Sequence, residues 1–168
     1  HDDLLAKGQA GEQSVMGDGG VNATTVEFEL DAVVDSSMFA IYAMGMLSAD
    51  DPRVEKTMQE IERRLWVKTE VGGLARYESD SYHRILDDAN AVPGNPWFIC
   101  TLWLADWKIA KAKNIEDLKL AIPILDWVAE HAMASGVLAE QVHPQTDAPL
   151  SVSPLTWSHG TAVSVIRA

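Results

Sequence analysis

Apolar positions recur along this chain in two alternating styles, and both predict helices. From Asp35 to Leu47 they run nearly all round a helical wheel, through Met38, Phe39, Ile41, Tyr42, Met44, Met46 and Leu47. From Pro52 to Trp66 there is one stripe, Val54, Met58, Ile61 and Leu65, with Arg, Glu and Lys elsewhere. Pro96 to Lys113 returns to the all-round style at its start (Trp97, Phe98, Ile99, Cys100, Leu102, Trp103, Leu104). Ile115 to Ala134 is striped again through Leu118, Ile122, Leu125 and Val128, and Pro154 to Ile166 is mostly apolar or small. A helix apolar on every side is buried, whereas a striped one keeps a wet face. The pattern therefore predicts an all-α chain of about five helices, inner and outer in alternation.

Punctuation supports these boundaries. Asp51-Pro52, Asn95-Pro96 and Ser153-Pro154 each read as an N-cap followed by proline at the first helical position. Gly136 falls where a helix stop is expected, and Pro123 should kink the fourth helix. Short turns join each buried helix to the next striped one. Long connections, Val67 to Asn95 and Ser135 to Ser153, lead back to the buried ones. Buried helices start near 35, 96 and 154, a spacing of about sixty residues, longer than the ~34–47 of common solenoid repeats. Inner helices ringed by outer ones, with long loops on one side, describe an α/α toroid. Two and a half hairpins cannot close such a ring, so the 168 residues are expected to be part of a larger barrel or to pair with another copy or with a missing partner piece. Residues 1–34 are expected to be a leading loop segment, poorly ordered.

Composition narrows the function. Thirteen basic residues stand against 25 acidic ones, a net charge of −12. That balance argues against nucleic acid and anionic membranes, both held by basic patches. No apolar run approaches the ~18 residues of a membrane span. Cys100 is the lone cysteine, which excludes an internal disulfide and a cysteine zinc site and, among apolar neighbours, reads as a buried inert thiol. Asn22-Ala-Thr24 is a formal glycosylation sequon.

The candidate chemistry lies in the long connections. The first holds Arg76, Tyr77, Glu78, Asp80, Tyr82 and His83 and runs into Asn95-Pro-Trp97. The second holds Glu140, Gln141 and His143 and runs into Trp157. Arg and Asp give directional hydrogen bonds to hydroxyls, aromatic rings offer flat apolar faces to sugars, and a single Glu can deprotonate a water. The plainer alternative is that Arg76 with Glu78 or Asp80 forms loop salt bridges and the tryptophans are core. Glu140-x-x-His143 has the spacing of carboxylate-bridged metal helices, but Gly136 before and Pro144 after imply a loop. No metal and no cofactor is expected. His83, His143 and His159 are too scattered for a triad, and no serine elbow is present.

Gly94-Asn-Pro-Trp97-Phe-Ile-Cys-Thr-Leu after the Arg76-Tyr77 loop resembles the glucoamylase family, glycoside hydrolase family 15. So do Gly136-Val-Leu-Ala-Glu140-Gln141 and Ser153-Pro-Leu-Thr-Trp157-Ser-His159. The motifs follow the family order from about Asp35 to Ala168. The resemblance implies a partial (α/α)6 barrel and an inverting, exo-acting α-glucoside hydrolase that releases glucose from α-glucans. It implies Glu140 as general base, with Arg76 and Trp97 lining the sugar site. It assigns Tyr77, Asp80 and Tyr82 to the substrate loop, where Glu78 replaces an expected proline, and Trp157 to a supporting position.

The family's general acid lies farther upstream than the 139 residues before Glu140 allow. Glu12, Glu27 and Glu29 sit in no matching context, so the acid is expected to be missing and the isolated chain inactive. A trehalase or dextran-directed enzyme of the same family, a non-catalytic carbohydrate-binding module and an unrelated helical scaffold are the alternatives. The expected partner is an α-linked glucosaccharide. Inner helices lacking neighbours should expose apolar surface and promote self-association.

Overall fold

The computed structural model describes residues 32–88 and 91–168. Most of the leading segment expected for 1–34, the sequon at Asn22, and Glu12, Glu27 and Glu29 lie outside the described residues. From Val34 to Ala168 the chain forms one compact unit. A 3-10 turn, Ser36–Phe39, leads into α1 (Ala40–Ala43), followed by α2 (Pro52–Leu65) and α3 (Phe98–Ala110). Then come α4 (Ile115–Leu118), a second 3-10 turn (Lys119–Ala121), α5 (Ile122–Glu130), the two-residue strands β1 (Gln141–Val142) and β2 (Pro149–Leu150), and α6 (Thr156–Arg167).

Helix α3 is the axle of this arrangement. Phe98, Ile99, Cys100, Thr101, Leu102, Leu104, Ala105 and Trp107 are all buried, and α3 packs against α2, α4, α5, α6 and both 3-10 turns. For this helix all-round apolarity did predict burial. Helix α2 buries Val54, Met58, Ile61 and Leu65, the stripe read from sequence, and Lys108 of α3 and Lys111 just past its end reach Glu62 and Glu55 on it at 3.0 and 3.1 Å. Burial pushes the Cys100 thiol up to about 12, against the smaller opposing effects of Ser36 and Arg76.

Several boundaries differ from expectation, each for a local reason. The first inner helix stops at Ala43, because Gly45 at φ +75° turns the chain, and Met44 and Met46 are exposed. Asp51 caps α2 as expected, accepting from Arg53 N at 2.9 Å. Asn95 is not a cap: Pro96 and Trp97 are held extended, and α3 opens at Phe98 with no side-chain cap. The fourth helix breaks where Pro123, lacking an N–H, forces a tightened turn ahead of α5. Gly136 (φ +79°) lies in a turn six residues past Glu130 rather than at the helix stop. Ser153 is likewise no cap. Its hydroxyl meets Met133 Sδ at 3.3 Å, the bond to Pro154 is cis, and α6 starts at Thr156.

The long connections are stitched together over the N-terminal end of α3. Trp66 bridges Leu74, Ala75 bridges Pro96, Trp97 bridges Gln141, and β1 pairs with β2, every step antiparallel. Trp97 N donates to Leu74 O at 2.9 Å and Val142 N to Pro96 O at 3.0 Å. Thr101 Oγ1 locks this ladder to the helix, accepting from Leu74 N at 2.9 Å and donating to Trp97 O at 2.8 Å. These pairings were read from sequence only as loops.

At Gly73 (φ +83°) a Cβ would meet Pro96 Cβ at 2.7 Å and overlap the Trp127 ring. At Gly136, also left-handed, a Cβ would meet nothing within 4 Å. Gly73→Ala should therefore cost about 3 kcal/mol and Gly136→Ala about 1 kcal/mol in urea unfolding. Equal losses would show that the close approach at Gly73 carries no weight.

Candidate active site

The ladder brings the two long connections to one place. Arg76 follows the bridged residue Ala75, and its guanidinium makes a two-pronged bond with Asp80, Nε to Oδ2 at 3.0 Å and Nη2 to Oδ1 at 2.8 Å. The Asp80 side chain is 1% exposed and that of Arg76 33%. Asp80 Oδ1 also accepts from Tyr82 N at 3.0 Å. Asp80 is thus filled from behind the site, while Arg76 keeps an open edge. Desolvation pulls the Arg76 guanidinium down, but the bonds and charge of Asp80, helped by Tyr77, outweigh it and leave the net direction upward.

Three rings surround that guanidinium. Its carbon stands 4.6 Å from the centre of Trp97, 4.8 Å from Tyr77 and 5.4 Å from Tyr82, within cation–π range. Trp97 is buried, tilts against Tyr82 at 5.9 Å, and its Nε1–H has no partner among the described residues. Tyr82 is 42% exposed. A flat, partly open face beside an oriented cation and hydroxyls suits a neutral polyol ring.

Glu140 reaches this cluster from the other connection. Its N donates to Val152 O at 2.9 Å, and its carbonyl accepts from Phe98 N at the start of α3. Its carboxylate accepts a short hydrogen bond from the Ser151 hydroxyl, which lies 3.5 Å from Tyr82 Oη. Ser151 thus links Glu140 to the Tyr82 hydroxyl, and the backbone N–H of Tyr82 meets Asp80, the partner of Arg76. Sequence reasoning missed Ser151. It stands eleven residues from Glu140, in the left-handed region at φ +61°, and only the β1–β2 pairing makes them neighbours.

Behind the site, Asn95 Nδ2 donates to His83 O at 2.7 Å and to Gln141 Oε1 at 2.8 Å, joining the three segments that carry Tyr82, Trp97 and Glu140. This pair too was not foreseen. Trp157 does not join the cluster through its ring; it packs on Trp103 at 5.8 Å and is 56% exposed. Glu78, where the resemblance called for proline, pairs with Arg64 and accepts from Val34 N at 3.1 Å. The Arg76–Asp80 ion pair of the plainer alternative is therefore present, inside the cluster rather than instead of it.

The histidines hold loops. His159 Nε2 accepts from Leu138 N at 3.0 Å, and His143 Nδ1 accepts from Gln145 N and Thr146 N. Glu140 and His143 flank the short strand β1 rather than lying on a helix. Among the described residues no group of three His, Cys, Asp or Glu is placed to hold a metal ion, and no helix is long and apolar enough to cross a membrane.

Comparison with known proteins identifies the lineage. The sequence model of glycosyl hydrolases family 15 matches residues 17–121 and 111–167. An uncharacterized glycosyl hydrolase of Methanocaldococcus jannaschii is 34% identical over 140 residues, 77% of this chain and 21% of that protein. A glucoamylase of a Clostridium species is 28% identical, with 81% and 19% covered. The crystal structure of a bacterial glucoamylase complexed with acarbose superposes with a TM-score of 0.66 at 29% identity, covering 80% of this chain and 20% of that one. The chain thus spans about a fifth of the length of these relatives. Its alternating inner and outer helices are part of an (α/α)6 barrel. The chain belongs to glycoside hydrolase family 15.

Proposed function

We propose that these residues form the base-bearing part of an inverting, exo-acting α-glucoside hydrolase that releases glucose from α-glucans. The observation that carries the reading is the tie from Glu140 through Ser151 and Tyr82 to the Arg76–Trp97 platform. It sets a carboxylate beside a face suited to a glucosyl ring. The likeness to a glucoamylase bound to acarbose supports the same ligand class.

In this reading Glu140 takes a proton from the water that attacks the anomeric carbon. The new C–O bond forms as the glycosidic C–O bond breaks on the opposite face. Inversion needs a second carboxyl group about 6.5–9.5 Å away to protonate the leaving oxygen. Asp80 is occupied by Arg76 and Tyr82 N, so the acid belongs to a part of the domain outside these residues. Ser151 fixes the Glu140 carboxylate. Arg76 and Tyr77 donate to sugar hydroxyls, Trp97 and Tyr82 bound the ring, Asp80 orients Arg76, and Trp157 supports the barrel wall behind.

Glucose release by the complete catalytic domain should fall about 10³-fold in kcat in Glu140→Gln, with KM changed only a few-fold. The isolated 168 residues should release none. Near-normal turnover by the variant, or release by the isolated chain, would remove Glu140 or the missing acid from the account.

Arg76→Ala strands the Asp80 charge and should destabilise the chain by about 3 kcal/mol. Arg76→Ala with Asp80→Asn should restore most of that stability without restoring maltose binding, read by calorimetry on the complete domain. Recovery of binding in the double variant would make Arg76 purely structural.

A further inference from the structure

We propose that the groove between α2 and α5 is a second seat for a glucan chain, one that holds polymeric substrate without cutting it. The groove has a volume of about 500 Å³, within the ~300–1,000 Å³ of small-molecule sites. Trp66, at the end of α2, and Trp127 of α5 line it, together with Glu62, Lys108, Leu120 and Glu130. It shares no residue with the Glu140 cluster. Two outer helices frame it and α3 supplies Lys108, so it lies between neighbours already in place and not where the ring of helices is open.

The Trp66 ring is supported from behind. A Cβ on Gly72 (φ +69°) would stand 3.3 Å from its Cζ2 and 3.5 Å from its Nε1, so the indole rests on a turn that has no side chain there. The residue is half-buried, and its Nε1–H has no hydrogen-bond partner among the described residues. Trp127 differs. Its Nε1 donates to Val71 O at 2.7 Å, and its ring packs on Phe98 and His131, so it serves as a fixed wall. An indole with a partly open face and an unspent N–H can meet the C–H face of a sugar and one of its hydroxyls together.

Charge selects a neutral occupant. Lys108 Nζ donates to both carboxylate oxygens of Glu62 at 3.0 Å, which cancels the two charges and leaves the ammonium a third proton. Glu130 is exposed and makes no hydrogen bond or ion pair among the described residues. Two donors, Trp66 Nε1 and Lys108 Nζ, and one acceptor, Glu130, thus stand around an apolar surface completed by Leu120, which is 57% exposed. The carboxylates oppose an anion and the Lys108 ammonium opposes a cation, whereas hydroxyls use donors and acceptor alike. The groove also adjoins the candidate site through one stretch of chain: Trp66 bridges Leu74, and Arg76 follows two residues later. That the polyol is a glucan rests on the function proposed above.

Leu120→Lys, at the exposed rim, and Trp66→Ala test the seat in the complete catalytic domain, with thermal melts to show that each variant keeps its fold. In each, KM for soluble starch should rise about fivefold. Neither kcat nor the KM for maltose should change, because a disaccharide in the Glu140 site leaves the groove empty. Migration in native gels containing glycogen gives a reading that needs no turnover. The parent and Glu140→Gln should be retarded alike, and the two groove variants less. Unchanged starch KM and unchanged retardation in both groove variants overturn the proposal. So does an equal rise in KM for maltose and starch, which makes the groove a support of the Glu140 site, or retardation by dextran sulfate in place of glycogen, which assigns it to an anion. Full glucose release by Glu140→Gln, with the groove variants still less retarded, would remove the function reading and leave the seat.

Discussion

Everything at the site depends on the register of a backbone ladder of single bridges that ends in one two-residue strand pair. Thr101 ties Leu74 and Trp97 to the first turn of α3, and from there the pairing passes through Pro96 to Gln141 and on to Leu150. In extended chain a one-residue slip turns each side chain to the opposite face. A slip at Gln141 would carry Glu140 away from Ser151, and a slip at Ala75 would carry Arg76 away from Trp97. The buried hydrogen bond from the Asn95 side-chain amide to that of Gln141 opposes the first, because it joins those two segments by a contact that has no equivalent one residue on.

That precision has an energetic cost. Asn95 Oδ1, Gln141 Nε2 and Trp97 Nε1 are buried with no partner among the described residues, and each such atom costs about 1–3 kcal/mol. An apolar core at the same place would be more stable and would hold nothing in register. The stability comes from α3, whose buried side chains meet every neighbouring helix, and the ladder spends part of it on fixing Arg76, Trp97 and Glu140 relative to one another.

Much of this was legible in the sequence. The Val54–Met58–Ile61–Leu65 stripe and the all-round apolarity after Trp97 gave the outer and inner helices, because periodicity over three or four turns is a strong signal. The Arg76, Trp97 and Glu140 motifs gave the family. Polar-proline pairs were weaker guides: Asp51-Pro52 caps a helix, while Asn95-Pro96 and Ser153-Pro154 lie in extended or turned chain. A polar residue before proline favours both outcomes, and the pairing that decides between them is long-range. Strands of two residues have no period to detect. Ser151 and the Asn95–Gln141 bond therefore became visible only once the segments were placed side by side.

In the proposed function Arg76, Trp97 and Tyr82 form one sugar-binding face in front of Glu140. Titrating this chain with maltotriose while following tryptophan indole N–H resonances by NMR examines it directly. The signal of Trp97 should move with added sugar while that of Trp157, packed on Trp103, stays in place. Movement of the Trp157 resonance with Trp97 unchanged would contradict it and set the sugar on another face of the molecule.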